Sequence, residues 1–138
     1  METRYLNFQN GDNLPSLDDL SPYKAIIVIE EPVSQGWQSA VSKWLVDSGC
    51  LYMMAWGIDC SSWNDSVDEA NLERFNYAEI PDDKFIMTTW HENDSLEEVI
   101  EFAKTTARHP DVELNQMLFL HIGPIDRQIE LESLYAKA

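Results

Sequence analysis

The sequence predicts an α/β protein: a three-layer sandwich with a mostly parallel four-stranded sheet and helices on both faces, Rossmann-like in plan. Three observations carry that prediction. Short, continuously apolar runs such as Ala25-Ile-Ile-Val-Ile29 read as strands buried on both faces, and such strands belong to parallel sheets covered by helices. Between them lie stretches whose apolar residues recur at i, i+3, i+4 and i+7, the period of a one-faced helix. The two kinds of segment alternate β-α-β-α-β-α-β-α along the chain, as serial crossovers require.

Residues 1–23 form an irregular N-terminal segment expected to pack on the domain, with Tyr5-Leu-Asn-Phe8 as a short edge strand and Gly11 to Pro15 as turn material. A single α/β domain then spans 24–138. Its first strand is Ala25–Ile29. After Glu30-Glu31-Pro32, the residues Trp37, Ala40, Val41, Trp44 and Leu45 define a helix capped by Ser34 and stopped at Gly49. Cys50 to Trp56 is the second strand, closed by Gly57. A helix from about Asn64 to Phe75 follows a loop, with Ser62, Asn64 and Asp65 as cap formers. Lys84 to Trp90 is the third strand. Ser95-Leu-Glu-Glu98 is a capping box that opens the next helix, with Leu96, Val99, Ile100, Ala103 and Ala107 on one face. Met117 to Ile122 is the fourth strand, and a last helix docks through Ile129, Leu131, Leu134 and Tyr135. Right-handed crossovers make strand order 2-1-3-4 the simplest arrangement, which places 25–29 and 85–90 centrally.

Twenty-five acids against nine bases give 138 residues a formal charge of −16. The excess is local: residues 59–101 hold thirteen acids and only two bases, Arg74 and Lys84. Such a field repels phosphate backbones and anionic membranes, so neither nucleic acid nor a membrane is an expected partner. A basic protein partner is favoured, because complementary fields speed encounter. No basic region followed by an apolar stretch opens the chain, and the longest aliphatic run, Ala25–Ile29, is far too short to span a bilayer. Cys50 and Cys60 bracket one strand, too far apart along it for a disulfide, so free thiols and a cytoplasmic setting are expected.

Ligands of such sheets bind beyond the carboxyl ends of the strands, where this sequence sets Glu30, Glu31, Asp59, Cys60 and His91. The turn after the first strand has one glycine and two acids, which is no phosphate cradle, and no cofactor is implied. Glu30, Glu31 and Asp59 are hard oxygen donors from neighbouring strands and are the candidates for a divalent cation. Cys60, His91 and His121 have no zinc-ligand spacing, and His121, after four apolar residues, reads as a hydrogen-bonded core histidine. Cys60 or Ser61 with His91 as base and Asp59 or Glu92 as orienter is the nucleophile candidate, although acids around a thiol raise its pKa. Trp63 and Trp90, with Glu30, Glu31 and Asp59, are the candidate partner-binding residues, since indoles on an acidic rim suit a cationic surface.

The runs Ser48-Gly-Cys-Leu-Tyr-Met-Met-Ala-Trp-Gly57, Asp59-Cys-Ser-Ser-Trp63, Asp65-Ser-Val-Asp68 and Met87-Thr-Thr-Trp-His-Glu92 resemble a family of small bacterial α/β proteins of unknown function. The resemblance covers roughly residues 24–122 and implies a bacterial cytosolic protein; it transfers no activity. The functional expectation is therefore a small acidic protein-binding module, an immunity- or antitoxin-like inhibitor of a basic partner. The alternatives are an enzyme or divalent-metal site at the strand ends, and a regulatory or scaffold domain without chemistry.

Overall fold

The computed structural model describes residues 2–138. Five strands form one all-parallel sheet: β1 (Glu2–Phe8), β2 (Tyr23–Ile29), β3 (Cys50–Gly57), β4 (Met87–His91) and β5 (Gln116–Ile122). The helices are α1 (Gln35–Asp47), α2 (Cys60–Arg74), α3 (Leu96–Thr105) and α4 (Gln128–Lys137), with a short 3-10 turn at Asp82–Lys84. Neighbouring residues of β2 show that helices cover both faces. The Tyr23 hydroxyl lies 2.6 Å from Ser48 Oγ at the end of α1, whereas the Lys24 ammonium donates to the Ala103 and Ala107 carbonyls at the end of α3.

The spatial order is β1-β5-β2-β3-β4, which corrects the expected 2-1-3-4 arrangement of four strands in two respects. The first concerns the N-terminal segment. Its opening residues are a full strand paired with β5 from Glu2 to Phe8, longer than the expected Tyr5–Phe8. Only the stretch after it is irregular, buried through Leu17 and Leu20 and tied to α1 by bonds from the Trp37 and Trp44 indoles to the Asp12 and Pro15 carbonyls.

The second correction concerns the third predicted strand. The 87–91 strand is an edge, and 116–122 takes the central place beside β2. Burial explains the exchange. β5 is buried from Met117 to Ile122 and apolar there except for His121, as suits a strand covered on both faces. β4 reads Met-Thr-Thr-Trp-His, and none of its residues is fully buried. Single-strand crossovers through α1 and α2 carry the chain outward from β2 to β4, and α3 returns it to the free side of β2.

Two helical boundaries also differ from expectation. α2 begins at Cys60, immediately after Asp59 in a left-handed conformation (φ 56°), rather than near Asn64. Starting there, Cys60, Trp63, Asn64, Val67 and Asn71 fall on one buried face at helical spacing. In α4, Leu131 and Tyr135 face inward and Leu134 packs beside them, while Ile129 is 87% exposed and does not dock. The capping box at Ser95 and Glu98 forms as expected.

Candidate functional site

Glu30 follows the last residue of β2, next to β5, where the sheet reverses its direction of winding. That is the crevice in which open α/β sheets bind ligands. A polar network closes it. Glu30 Oε1 is 2.5 Å from His121 Nε2, and Glu30 Oε2 accepts from Arg127 Nη1 at 3.0 Å. His121 Nδ1 lies 2.7 Å from the Tyr5 hydroxyl, which accepts the Arg127 backbone N–H at 2.9 Å. With Nε2–H donating to Glu30 and Tyr5 donating to Nδ1, every member is satisfied. His121 is fully buried, so it positions Glu30 rather than meeting a ligand. Gly123 makes room for it, since a Cβ there would lie 2.9 Å from His121 Nε2.

Beside this network, the ends of β2, β3 and β4 enclose a shallow cleft of about 500 Å³ lined by Glu30, Trp56, Gly57, His91, Glu92 and Asp94. Its polar side chains are held from behind. The Trp56 indole N–H donates to the Asp94 carbonyl at 2.9 Å. His91 Nδ1 is 2.9 Å from Asp94 Oδ2 and Nε2 is 2.9 Å from Thr89 Oγ1, with Phe102 edge-on at 5.1 Å. The His91 orienter is thus Asp94, three residues on, and neither Asp59 nor Glu92.

The remaining sequence candidates do not converge here. Cys60 is 2% exposed on the inner face of α2, away from the rim position expected of it. Both ring nitrogens of His91 are occupied by other residues, so no Cys60–His91 pair exists. Asp59 is exposed at the start of α2 and its side chain makes no cap hydrogen bond. Glu31 is half-buried. Among the described residues no three His, Cys, Asp or Glu side chains gather as metal ligands would, Glu30, Glu31 and Asp59 included. Cys50 and Cys60 are free thiols, and burial pushes the Cys50 thiol up to about 12.

Trp63 is 1% exposed and belongs to the core, whereas Trp90 is 51% exposed on β4. The helical start at Cys60 causes the difference, because it turns Trp63 inward. Sequence reasoning also missed Asp68, a half-buried carboxylate on α2 that accepts from Thr88 Oγ1 at 2.6 Å and Asn64 Nδ2 at 3.3 Å. The available signal was its helical spacing from Asn64, one turn earlier.

α2 packs on α1 and β4, whereas α3 packs with α4 on the other face of the sheet, so the acids of 59–101 are shared between the two faces around β4. Asp65, Glu69 and Glu73 run one turn apart on α2 and line, with Lys43 of α1, the groove between the two helices; Tyr77 donates to Glu69, and Phe85 and Trp90 are exposed at β4 and just before it. Of the two bases, Arg74 turns its guanidinium to the Val46 carbonyl at 3.1 Å.

These features define a parallel α/β protein with an acidic, aromatic-bearing edge and a pre-formed cleft at its strand ends. The chain belongs to the family described as "Domain of unknown function (DUF7684)", whose model matches residues 3–138. No curated protein and no solved structure matches it. No helix among the described residues is long and apolar enough to cross a membrane.

Proposed function

We propose that this chain is a protein-binding module, Rossmann-like in plan, that docks a basic protein on its β4 side, as an immunity protein or antitoxin docks a cationic toxin. The observation that carries the proposal is exposed aromatic surface next to acids: Phe85 and Trp90 are exposed between the exposed pairs Asp82, Asp83 and Glu92, Asp94, and exposed Tyr77 donates to Glu69. Interfaces draw their affinity from aromatic anchors and their encounter rate from complementary charge. Of the two tryptophans expected as anchors, Trp90 keeps that role in this proposal and Trp63 does not, and the acids of α2 take the steering role expected of Glu30, whose carboxylate is already paired with Arg127 and His121. Glu31 and Asp59 remain as peripheral acids. A cytoplasmic setting accords with two buried free thiols.

The test is capture of a basic protein from the native host, followed by kinetics on the purified pair. Trp90→Ala should speed dissociation by about thirtyfold, the equivalent of about 2 kcal/mol for a buried aromatic anchor. Replacing Asp65 and Glu73 with their amides should instead slow association and flatten its salt dependence. A captured partner indifferent to both changes would refute the docking side.

A second reading rests on His91. Its Nδ1 sits on a carboxylate in a cleft, which orients the ring as in a general base, and Nε2 would take a proton only after leaving the Thr89 hydroxyl. Under that reading His91→Ala removes a turnover while leaving partner binding intact.

A further inference from the structure

We infer that β4 is a docking strand, to which the basic partner adds an extended segment carrying lysine or arginine on both sides of a short β-forming core. The inference rests on the protein-binding proposal above and specifies how the partner is held. β4 ends the sheet, and its register with β3 runs unbroken from Met87 opposite Tyr52 to His91 opposite Trp56. Natural edge strands are blunted by lysine, proline, bulges or a covering segment. β4 contains no lysine, no proline and no bulge; its Thr88, Thr89 and Trp90 are strand formers. Asn71 satisfies the main chain just before it, at Lys84 and Ile86. Among the described residues, no side chain hydrogen-bonds the main chain of 87–91. The opposite edge differs, because β1 carries Arg4, bound to Glu2 and Asp19 at 3.3 and 2.7 Å.

Charge selects the occupant. Asp82 and Asp83 precede β4, and Glu92 and Asp94 follow it, all exposed. Antiparallel pairing of two copies would set Asp82, Asp83 and Lys84 of each against Glu92 and Asp94 of the other, four acids against one lysine at each end. Like charges opposed across strands are destabilising. A strand with bases at both ends meets acids at both ends in either direction, and its main chain completes the hydrogen-bond ladder while Trp90 offers a side-chain contact.

The experiment titrates the isotope-labelled chain with a synthetic peptide having a Thr-Val-Thr-Val-Thr core and two lysines at each end. A twin with glutamates in place of the lysines is the control. The lysine peptide should slow exchange of alternate amides in 87–91 at least tenfold, and its affinity should fall at least tenfold between 50 and 500 mM salt, as screening shortens. The glutamate twin should not bind. The combined variant Asp82→Asn, Asp83→Asn, Glu92→Gln should weaken the lysine peptide at least tenfold with an unchanged circular dichroism spectrum. Binding of the lysine peptide without slowed exchange in β4 would overturn the docking strand while leaving an acidic binding face. A concentration-dependent dimer that protects β4 in the absence of peptide would overturn it in favour of a second copy. No binding by the lysine peptide would overturn the docking strand, and indifference of a captured partner to both Trp90→Ala and the α2 amide changes would separately bring down the reading on which it rests.

Discussion

Asp68 is a carboxylate half-removed from water between α2 and β4, and burial holds its pKa above the ordinary value of 3.8; Thr88 offsets part of that rise and Asp65 adds to it. A raised folded-state pKa means the native protein binds more protons than the unfolded chain, so stability falls as pH rises through the window above 3.8. Asp68→Asn keeps an acceptor for Thr88 and removes the charge. It should be more stable than the parent at pH 7, with the advantage vanishing as pH approaches 4 in urea melts across that range. Two other residues test placement. Gly57 has φ 106°, and a Cβ there would lie 2.1 Å from the Ile29 carbonyl oxygen, so Gly57→Ala should cost about 2 kcal/mol or more. Trp63→Ala should cost about 3–5 kcal/mol as a core truncation, whereas Trp90→Ala should stay within about 0.5 kcal/mol. Near-equal losses for the two tryptophans would contradict their opposite burial.

At the scale of elements, β1 is joined to the rest of the sheet by more than its ladder. Tyr5 couples it to His121 on β5 and to the start of α4 through Arg127. Tyr5→Phe leaves the Arg127 N–H without its partner and His121 Nδ1 with the Asn7 amide alone at 3.2 Å, for an expected loss of about 1–3 kcal/mol in chemical denaturation. This linkage lay beyond reach in the sequence, because Tyr5 and His121 are 116 positions apart and nothing local ties them. Strands 25–29 and 117–122, the helices at 35–47 and 96–105, and the Ser95 capping box were legible, since each is written in an apolar run, a helical stripe or a cap within one segment. Strand order was not, because it depends on competition between segments. Its cue was present, though: Thr88, Thr89 and His91 make β4 the most polar strand after β1, and polarity belongs at an edge. The candidate site was half legible for the same reason. Glu30 and His91 follow from strand ends, but the start of α2 decides where Cys60 and Trp63 point, and Ser62, Asn64 and Asp65 advertise a cap that the helix does not use.

The whole molecule carries −16 charges on 138 residues, and thirteen of its 25 acids lie in 59–101, the stretch that contains α2 and β4. Asp65, Glu69 and Glu73 repeat at i, i+4 and i+8 on exposed α2, where each like-charged pair destabilises a helix by about 0.2–0.5 kcal/mol. Of the two bases that share the groove with this stripe, Arg74 is turned toward Val46 and the Phe75 ring and Lys43 is paired with Asp47, so neither is paired with the stripe. The acids therefore lower stability in the free protein, and a basic partner would relieve the repulsion on docking. Asp65→Asn with Glu73→Gln removes both repulsive pairs and spares Glu69, which accepts from the Tyr77 hydroxyl. In low salt the double variant should be about 0.4–1 kcal/mol more stable than the parent, and the parent should gain more than the variant as salt is added. By 1 M salt, where the screening length is about 3 Å, the two should melt together. The same variant should associate more slowly with a basic partner, so stability and encounter rate move in opposite directions. A double variant that is no more stable at low salt would show that the stripe carries no strain, and a partner would then gain nothing by neutralising it.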